Sequence, residues 1–142
     1  MKCKEVMTVN PSCCQVTDTV HRAAQLMKSE DVGPIPILED MESRRLAGVV
    51  TDRDIVLKLV AKDLNPNTTP VSEIMTTEVV TCRVNDDAHQ AVHLMEEHQV
   101  RRILIVNDSG QLAGIISQAD VATRMKEPGQ TAEVVKEISQ AA

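Results

Sequence analysis

Two stretches of this 142-residue chain carry the same potential chemistry. In Gly48-Val49-Val50-Thr51-Asp52-Arg53-Asp54 and in Gly114-Ile115-Ile116-Ser117-Gln118-Ala119-Asp120, an apolar run ends at a hydroxyl and a carboxylate follows three residues later. Each reads as a buried strand that turns into the first turn of a helix. One job for this spacing is capping. The hydroxyl and the carboxylate satisfy N–H donors that a helix start leaves unpaired, and the acid sits where the helix dipole favours it. The other job is ligand binding. A hydroxyl at a helix start can meet a phosphate, and a carboxylate beside it can accept both hydroxyls of a ribose. The two jobs do not exclude each other.

Other reactive side chains make weaker patterns. His89 and His93 stand at i, i+4 with Glu96 and Glu97 nearby, which is metal-ligand spacing. On a helical projection all four lie opposite the apolar stripe Ala88, Ala91, Val92 and Met95, so they read as a solvated face and no metal site is expected. His21 repeats His89 on the same outer face. Cys13 or Cys14 with a distant His would be needed for a nucleophilic enzyme, yet no nucleophile elbow, phosphate loop or paired carboxylate accompanies them. No catalytic residue is therefore assigned. Cys3, Cys13, Cys14 and Cys82 form no Cys-x-x-Cys pair and read as reduced thiols in core or loop.

Bulk composition bounds the function classes. Hydrophobic residues make up 42% and charged residues 25%, which is globular, while the net charge of −6 gives no basic footprint for nucleic acid. Phe, Tyr and Trp are all absent, so a flat ligand must be gripped by aliphatic side chains and backbone rather than stacked on rings. No apolar run approaches a membrane span and Met1-Lys2-Cys3-Lys4-Glu5 lacks the core of a signal peptide, so the expectation is a cytoplasmic protein with no membrane partner.

The elements that position the two stretches are themselves repeated. Val6-Met7-Thr8 recurs as Ile74-Met75-Thr76, an offset of 68 residues, and Val16, Asp18, His21, Ala23, Leu26, Met27 and Val32 recur as Val84, Asp86, His89, Ala91, Leu94, Met95 and Val100. The first copy then carries two extra residues in a polar turn, so Leu46-Ala47-Gly48 matches Leu112-Ala113-Gly114. Within each copy a short extended piece near 15–17 precedes a helix starting at Asp18 or Thr19, with Val20, Ala23, Ala24 and Met27 on one face. Two strands follow at 35–38 and 46–50, matched by 103–106 and 112–116, and then a helix after Thr51 or Ser117. Pro34 and Pro36 point to an edge strand or an irregular entry. The expected division is a first unit at 1–64, a linker at 65–71, a second unit at 72–126 and a tail at 127–142 with a short helix near 131–140, read either as packing on its own domain or as a dimer contact.

A β-α-β-β-α unit repeated in tandem, each copy opening on Met-Thr and closing on Gly, two apolar residues and Thr/Ser-x-x-Asp, resembles the CBS domain family, and the pair resembles a Bateman module. The likeness runs from Val6 to Met125. It implies an α/β (α+β) fold of two CBS units packed through their sheets with pseudo-twofold symmetry, with two clefts for adenosyl ligands: AMP, ADP, ATP or S-adenosylmethionine. Carried over by position, Asp54 and Asp120 would accept ribose hydroxyls, and Thr51 and Ser117 would meet phosphate. Arg53 would add positive charge where the second copy has Ala119; Arg101 and Arg102 are further sources, and Pro36 borders a cleft. Residues after each Met-Thr, among them Val9, Pro11, Cys13, Val79 and Thr81, would line the adenine end.

The expected function is a regulatory, nucleotide-binding module with no required cofactor. It would act by ligand-dependent population shift, as a homodimer or on an unidentified partner protein. The alternatives are a ligand-free structural module, in which the hydroxyl–carboxylate pairs only cap helices, and a Cys/His-dependent enzyme. Small residues such as Ala23, Ala24, Ala88 and Ala91 would allow close helix contact in a dimer, or could belong to the core of each unit.

Overall fold

A computed structural model of the chain describes residues 1–125. The tail and its short helix lie outside the described residues. In chain order the elements are α1 (Cys3–Val6), β1 (Thr8–Val9), β2 (Cys14–Gln15), α2 (Val20–Glu30), β3 (Ile35–Leu38), β4 (Leu46–Val50), α3 (Asp52–Lys58), β5 (Thr81–Arg83), α4 (Ala88–His98), β6 (Arg102–Val106), β7 (Leu112–Ser117) and α5 (Gln118–Arg124). Single 3₁₀ turns occur at Val60–Lys62 and Val71–Glu73.

These elements make two compact units, Ser12–Val79 and Met1–Pro11 together with the described residues from Val80 onward. The compact units are therefore offset from the sequence repeats, because each takes its Met-Thr segment from the other copy. In the Ser12–Val79 unit β2, β3 and β4 form a sheet in that order, and Thr76 pairs antiparallel with Val49. In the other unit the order is β5-β6-β7-β1, and Thr8 pairs antiparallel with Ile115. Thr76 and β1 thus hold equivalent places beside β4 and β7.

The glycine of each motif explains why the segment can come so close. A Cβ on Gly48 would lie 2.6 Å from the Thr76 carbonyl oxygen, and one on Gly114 would lie 2.7 Å from that of Thr8. Both gaps are well inside contact distance, so only glycine admits the neighbouring backbone.

Each unit buries its own core. One core gathers Val20 and Ala23 of α2 with Cys14, Ile35, Ile37, Val50, Leu59, Val71 and Ile74. The other gathers Ala88, Ala91, Val92 and Met95 of α4 with Cys3, Cys82, Ile103, Ile105, Ile116 and Val121. The alanines on both helix stripes are spent mainly inside the units, where Ala23, Ala88 and Ala91 are buried and Ala24 is half-buried. The two long helices start alike: the Thr19 hydroxyl accepts from Arg22 N, and Asp87 accepts from His89 N. Each ends on a left-handed residue, Asp31 or Gln99.

Of the edge strand and the irregular entry expected from Pro34 and Pro36, the edge strand is not observed. β3 is the middle strand of its sheet, but β2 pairs only with Ile37 and Leu38, so Pro36 lies before the stretch that needs donors toward β2. Its missing N–H leaves no ladder partner unsatisfied there. No helix among the described residues is long and apolar enough to cross a membrane.

Candidate functional site

Both motif stretches form capping boxes at strand-to-helix turns. Thr51 N donates to Asp54 Oδ2 at 3.0 Å, and Asp54 N donates to Thr51 Oγ1 at 3.1 Å. Ser117 N donates to Asp120 Oδ2 at 2.9 Å, and Asp120 N donates to Ser117 Oγ at 3.2 Å. Asp54 and Asp120 are buried at 9% and 8% exposure, the two carboxylates to reach that burial among the described residues. A buried carboxylate is costly without hydrogen-bond donors or a counter-charge. Each accepts from a backbone N–H of its own turn and has a basic side chain four residues on.

The counter-charges are residues that the resemblance does not name. Lys58 Nζ lies 3.1 Å from Asp54 Oδ1 and donates to the Ile74 carbonyl at 3.3 Å. At the matched position Arg124 Nε lies 3.9 Å from Asp120 Oδ1, while its Nη1 donates to the carbonyls of Val6 and Met7 at 3.0 and 2.7 Å. Each base thus ties the carboxylate to the segment that opens with Met-Thr. A signal was present in the sequence, since Lys58 and Arg124 both follow an aspartate at i, i+4.

The two sites differ in what remains unpaired. At the first, the Thr51 hydroxyl accepts from Asp54 N, and its own proton has no acceptor among the described residues. Arg53 is exposed and makes no ion pair among the described residues. Asp52 N donates to the Gly33 carbonyl and Arg53 N to Asp52 Oδ1, so the first-turn amides of α3 have partners within the chain. A phosphate at this turn would therefore have to be met by side chains rather than by these amides. At the second site the Ser117 hydroxyl donates to Asp120 Oδ2 at 3.1 Å, and the Thr8 hydroxyl donates to Asp120 Oδ1 at 3.0 Å. Thr76, which matches Thr8, makes no such bond to Asp54.

The remaining predicted residues divide between the units. With Thr51 and Asp54 go Pro36, buried opposite Val49, and half-buried Cys13 and Val79. With Ser117 and Asp120 go Arg102, which pairs with Ser117 across β6 and β7; Arg101, whose carbonyl accepts from Gln118 N; and Val9, opposite Gly114. Pro11 and Thr81 belong to the same unit, but Thr81 is on β5, the sheet edge remote from β1, and does not adjoin Asp120 through the sheet. A groove on the outer face of α2, lined by His21, Ala24, Gln25, Lys28 and Ser29, includes none of the predicted ligand residues.

The thiols are poor nucleophiles. Burial pushes Cys3 and Cys14 up to about 12 and raises Cys13 and Cys82 as well, so thiolate is scarce near neutrality. Among the described residues no three His, Cys, Asp or Glu side chains gather as a metal site. His93 and Glu97 make only an exposed pair at 3.9 Å.

A tandem α+β repeat with a capped carboxylate at each strand-to-helix turn is the architecture of a paired CBS type of module. The chain belongs to the CBS domain family, whose model matches residues 3–61 and 71–127. It is 36% identical over 124 residues to hypoxic response protein 1 of Mycobacterium tuberculosis, covering 87% of this chain and 85% of that protein. A crystal structure of Hypoxic Response Protein I with two coordinated zinc ions superposes with a TM-score of 0.74 at 35% identity, covering 86% of this chain and 97% of that one. The CBS domain-containing protein YhcV of Bacillus subtilis is 40% identical over 119 residues, 84% of this chain and 81% of that protein. The CBS domain protein PAE2072 of Pyrobaculum aerophilum, solved in complex with AMP, gives a TM-score of 0.74 over 96% of this chain and 99% of that one. At 24% identity that likeness is one of fold.

Proposed function

We propose that the chain is a regulatory CBS pair that binds an adenosine nucleotide and acts without catalysis. The observation that carries this reading is the Thr51–Arg53–Asp54 turn. There a hydroxyl proton and a guanidinium stand unpaired next to a carboxylate that retains acceptor capacity. A ribose needs an acceptor for its diol and a phosphate needs donors and positive charge, and these side chains offer both within one turn. The AMP complex of a protein with the same fold supports adenosine as the common part of the ligand. S-adenosylmethionine, a cation at its sulfonium end, fits the Arg53 side less well than AMP, ADP or ATP.

In this reading the nucleotide acts by population shift. It favours one arrangement of the chain only to the extent that it binds that arrangement more tightly, and a regulated partner or a second copy reads the result. Homodimer contact is better supported by Val56, Leu57, Val60 and Leu64 than by the alanine stripes, because these four expose aliphatic surface on α3 and the turn after it. A cytoplasmic setting agrees with four free thiols, of which Cys3, Cys14 and Cys82 are buried.

Thermal unfolding with AMP, ADP, ATP and S-adenosylmethionine tests the proposal. A ligand at a hundred times its Kd should add about 2.7 kcal/mol of stability and raise Tm by several degrees. No shift with any of the four at millimolar concentration would leave the ligand-free structural module as the better account. A shift that survives Asp54→Asn and Asp120→Asn together would place the ligand elsewhere.

A further inference from the structure

We infer that Thr8 is a specificity-determining residue that holds the Asp120 site partly shut and so makes it the weaker of two adenosyl sites. This rests on the nucleotide reading above and goes beyond it, since it concerns a residue outside the Thr/Ser-x-x-Asp turn. An ionised carboxylate has about four acceptor positions. Asp120 spends three on Ser117 N, Ser117 Oγ and Thr8 Oγ1, whereas Asp54 spends two, on Thr51 N and Lys58 Nζ. In both sites Oδ2 faces the capped turn and Oδ1 faces the basic residue four positions on, Lys58 at 3.1 Å or Arg124 at 3.9 Å, so an arriving diol must share Oδ1 with that base. At Asp120 that oxygen accepts from Thr8 as well, a second neighbour that Asp54 Oδ1 lacks, and Arg124 holds the Thr8 segment in place through the carbonyls of Val6 and Met7. A diol that claims both oxygens competes with the Thr8 hydroxyl, and losing that bond loosens the register of Thr8 and Val9 against Ile115 and Gly114. Occupancy of this site is thereby coupled to the pairing of β1.

Titration calorimetry with AMP on the full chain tests this, with Asp54→Asn as background to isolate the second site. Adding Thr8→Val, which keeps the shape and removes the donor, should tighten AMP binding about five- to tenfold. Adding Thr8→Ser, which keeps the donor, should restore the affinity of the background. Thr8 is exposed on a short strand where valine is well tolerated, and the serine variant controls for any loss of fold. Unchanged or weaker binding in the Thr8→Val protein, with wild-type binding intact, would overturn the inference alone. Failure of the wild-type chain to bind AMP, ATP or S-adenosylmethionine would overturn the nucleotide reading, and this inference would fall with it.

Discussion

At the scale of single residues the two copies share a scaffold and differ in charge and in unpaired groups. Arg53 is exposed and lacks an ion-pair partner among the described residues, and Ala119 stands in its place in the second copy. If Arg53 meets phosphate, Arg53→Ala should weaken ATP about three- to tenfold in titration calorimetry and AMP less, with the gap narrowing at high salt. Equal losses for ATP and AMP would assign Arg53 to the fold instead. A second residue sets an acid limit. His89 N and then His89 Nδ1 bond Asp87 and hold its carboxyl below the ordinary carboxylate range. A carboxylate depressed in the folded state contributes stability above its unfolded value, near pH 4, and loses it as pH falls through the depressed value. Asp87→Asn keeps a capping oxygen but cannot titrate, so its urea midpoint should fall less steeply than wild type between about pH 5 and pH 2. Parallel curves would remove Asp87 from the acid response.

At the scale of elements the motif explains itself once Met-Thr and Gly are seen as partners. Gly48 and Gly114 each face the carbonyl of the threonine that the other sequence copy supplies, and Lys58 and Arg124 clamp the same segments. Gly48→Ala and Gly114→Ala should each destabilise by about 1–3 kcal/mol, because the added methyl meets a backbone carbonyl as well as the side chain of Met75 or Met7. Chemical denaturation would measure the loss, and faster amide exchange at Val49 or Ile115 would locate it. A cost below about 0.5 kcal/mol would mean that the strands separate freely. Helix periodicity, the bounds of β3 and β4 and both capping boxes were legible in the sequence, because each is a local pattern of burial or spacing. The partner of Met-Thr was not, because a bridge or a two-residue strand carries no periodicity and its place is set by a glycine nearly thirty residues away in one case and more than a hundred in the other. Pro36 left an edge strand and an irregular entry both open for a related reason. Whether a proline clashes in a middle strand depends on how far its neighbour reaches, and β2 stops short.

At the scale of the whole chain the sequence repeat and the compact unit are different objects. The repeat reads 3–61 and 71–127, but the unit around Asp54 is continuous only over Ser12–Val79, and the unit around Asp120 needs Met1–Pro11 as well as Val80 onward. The core of the Ser12–Val79 unit includes Val71 and Ile74, with Met75 packed against it, all beyond the first repeat. The core of the other unit includes Cys3 and Val6, and α1 joins it through hydrogen bonds from Cys3 N and Lys4 N to the carbonyls of Asp86 and Val84. A chain cut at the repeat boundary therefore leaves two pieces that each lack buried aliphatic residues and the carbonyls that Lys58 and Arg124 clamp. Units of this size bury only a modest share of their surface and have little stability to lose. Fragment 12–79 should unfold cooperatively in urea, while fragment 1–64 should show a weak, broad transition. Fragment 80–142 should gain helical signal and a sharper transition when a peptide of residues 1–11 is added in trans, with Arg124→Ala abolishing most of the gain. If 1–64 folds as well as 12–79, or the peptide has no effect, the exchange of opening segments adds little to stability, and each sequence repeat is a folding unit in its own right.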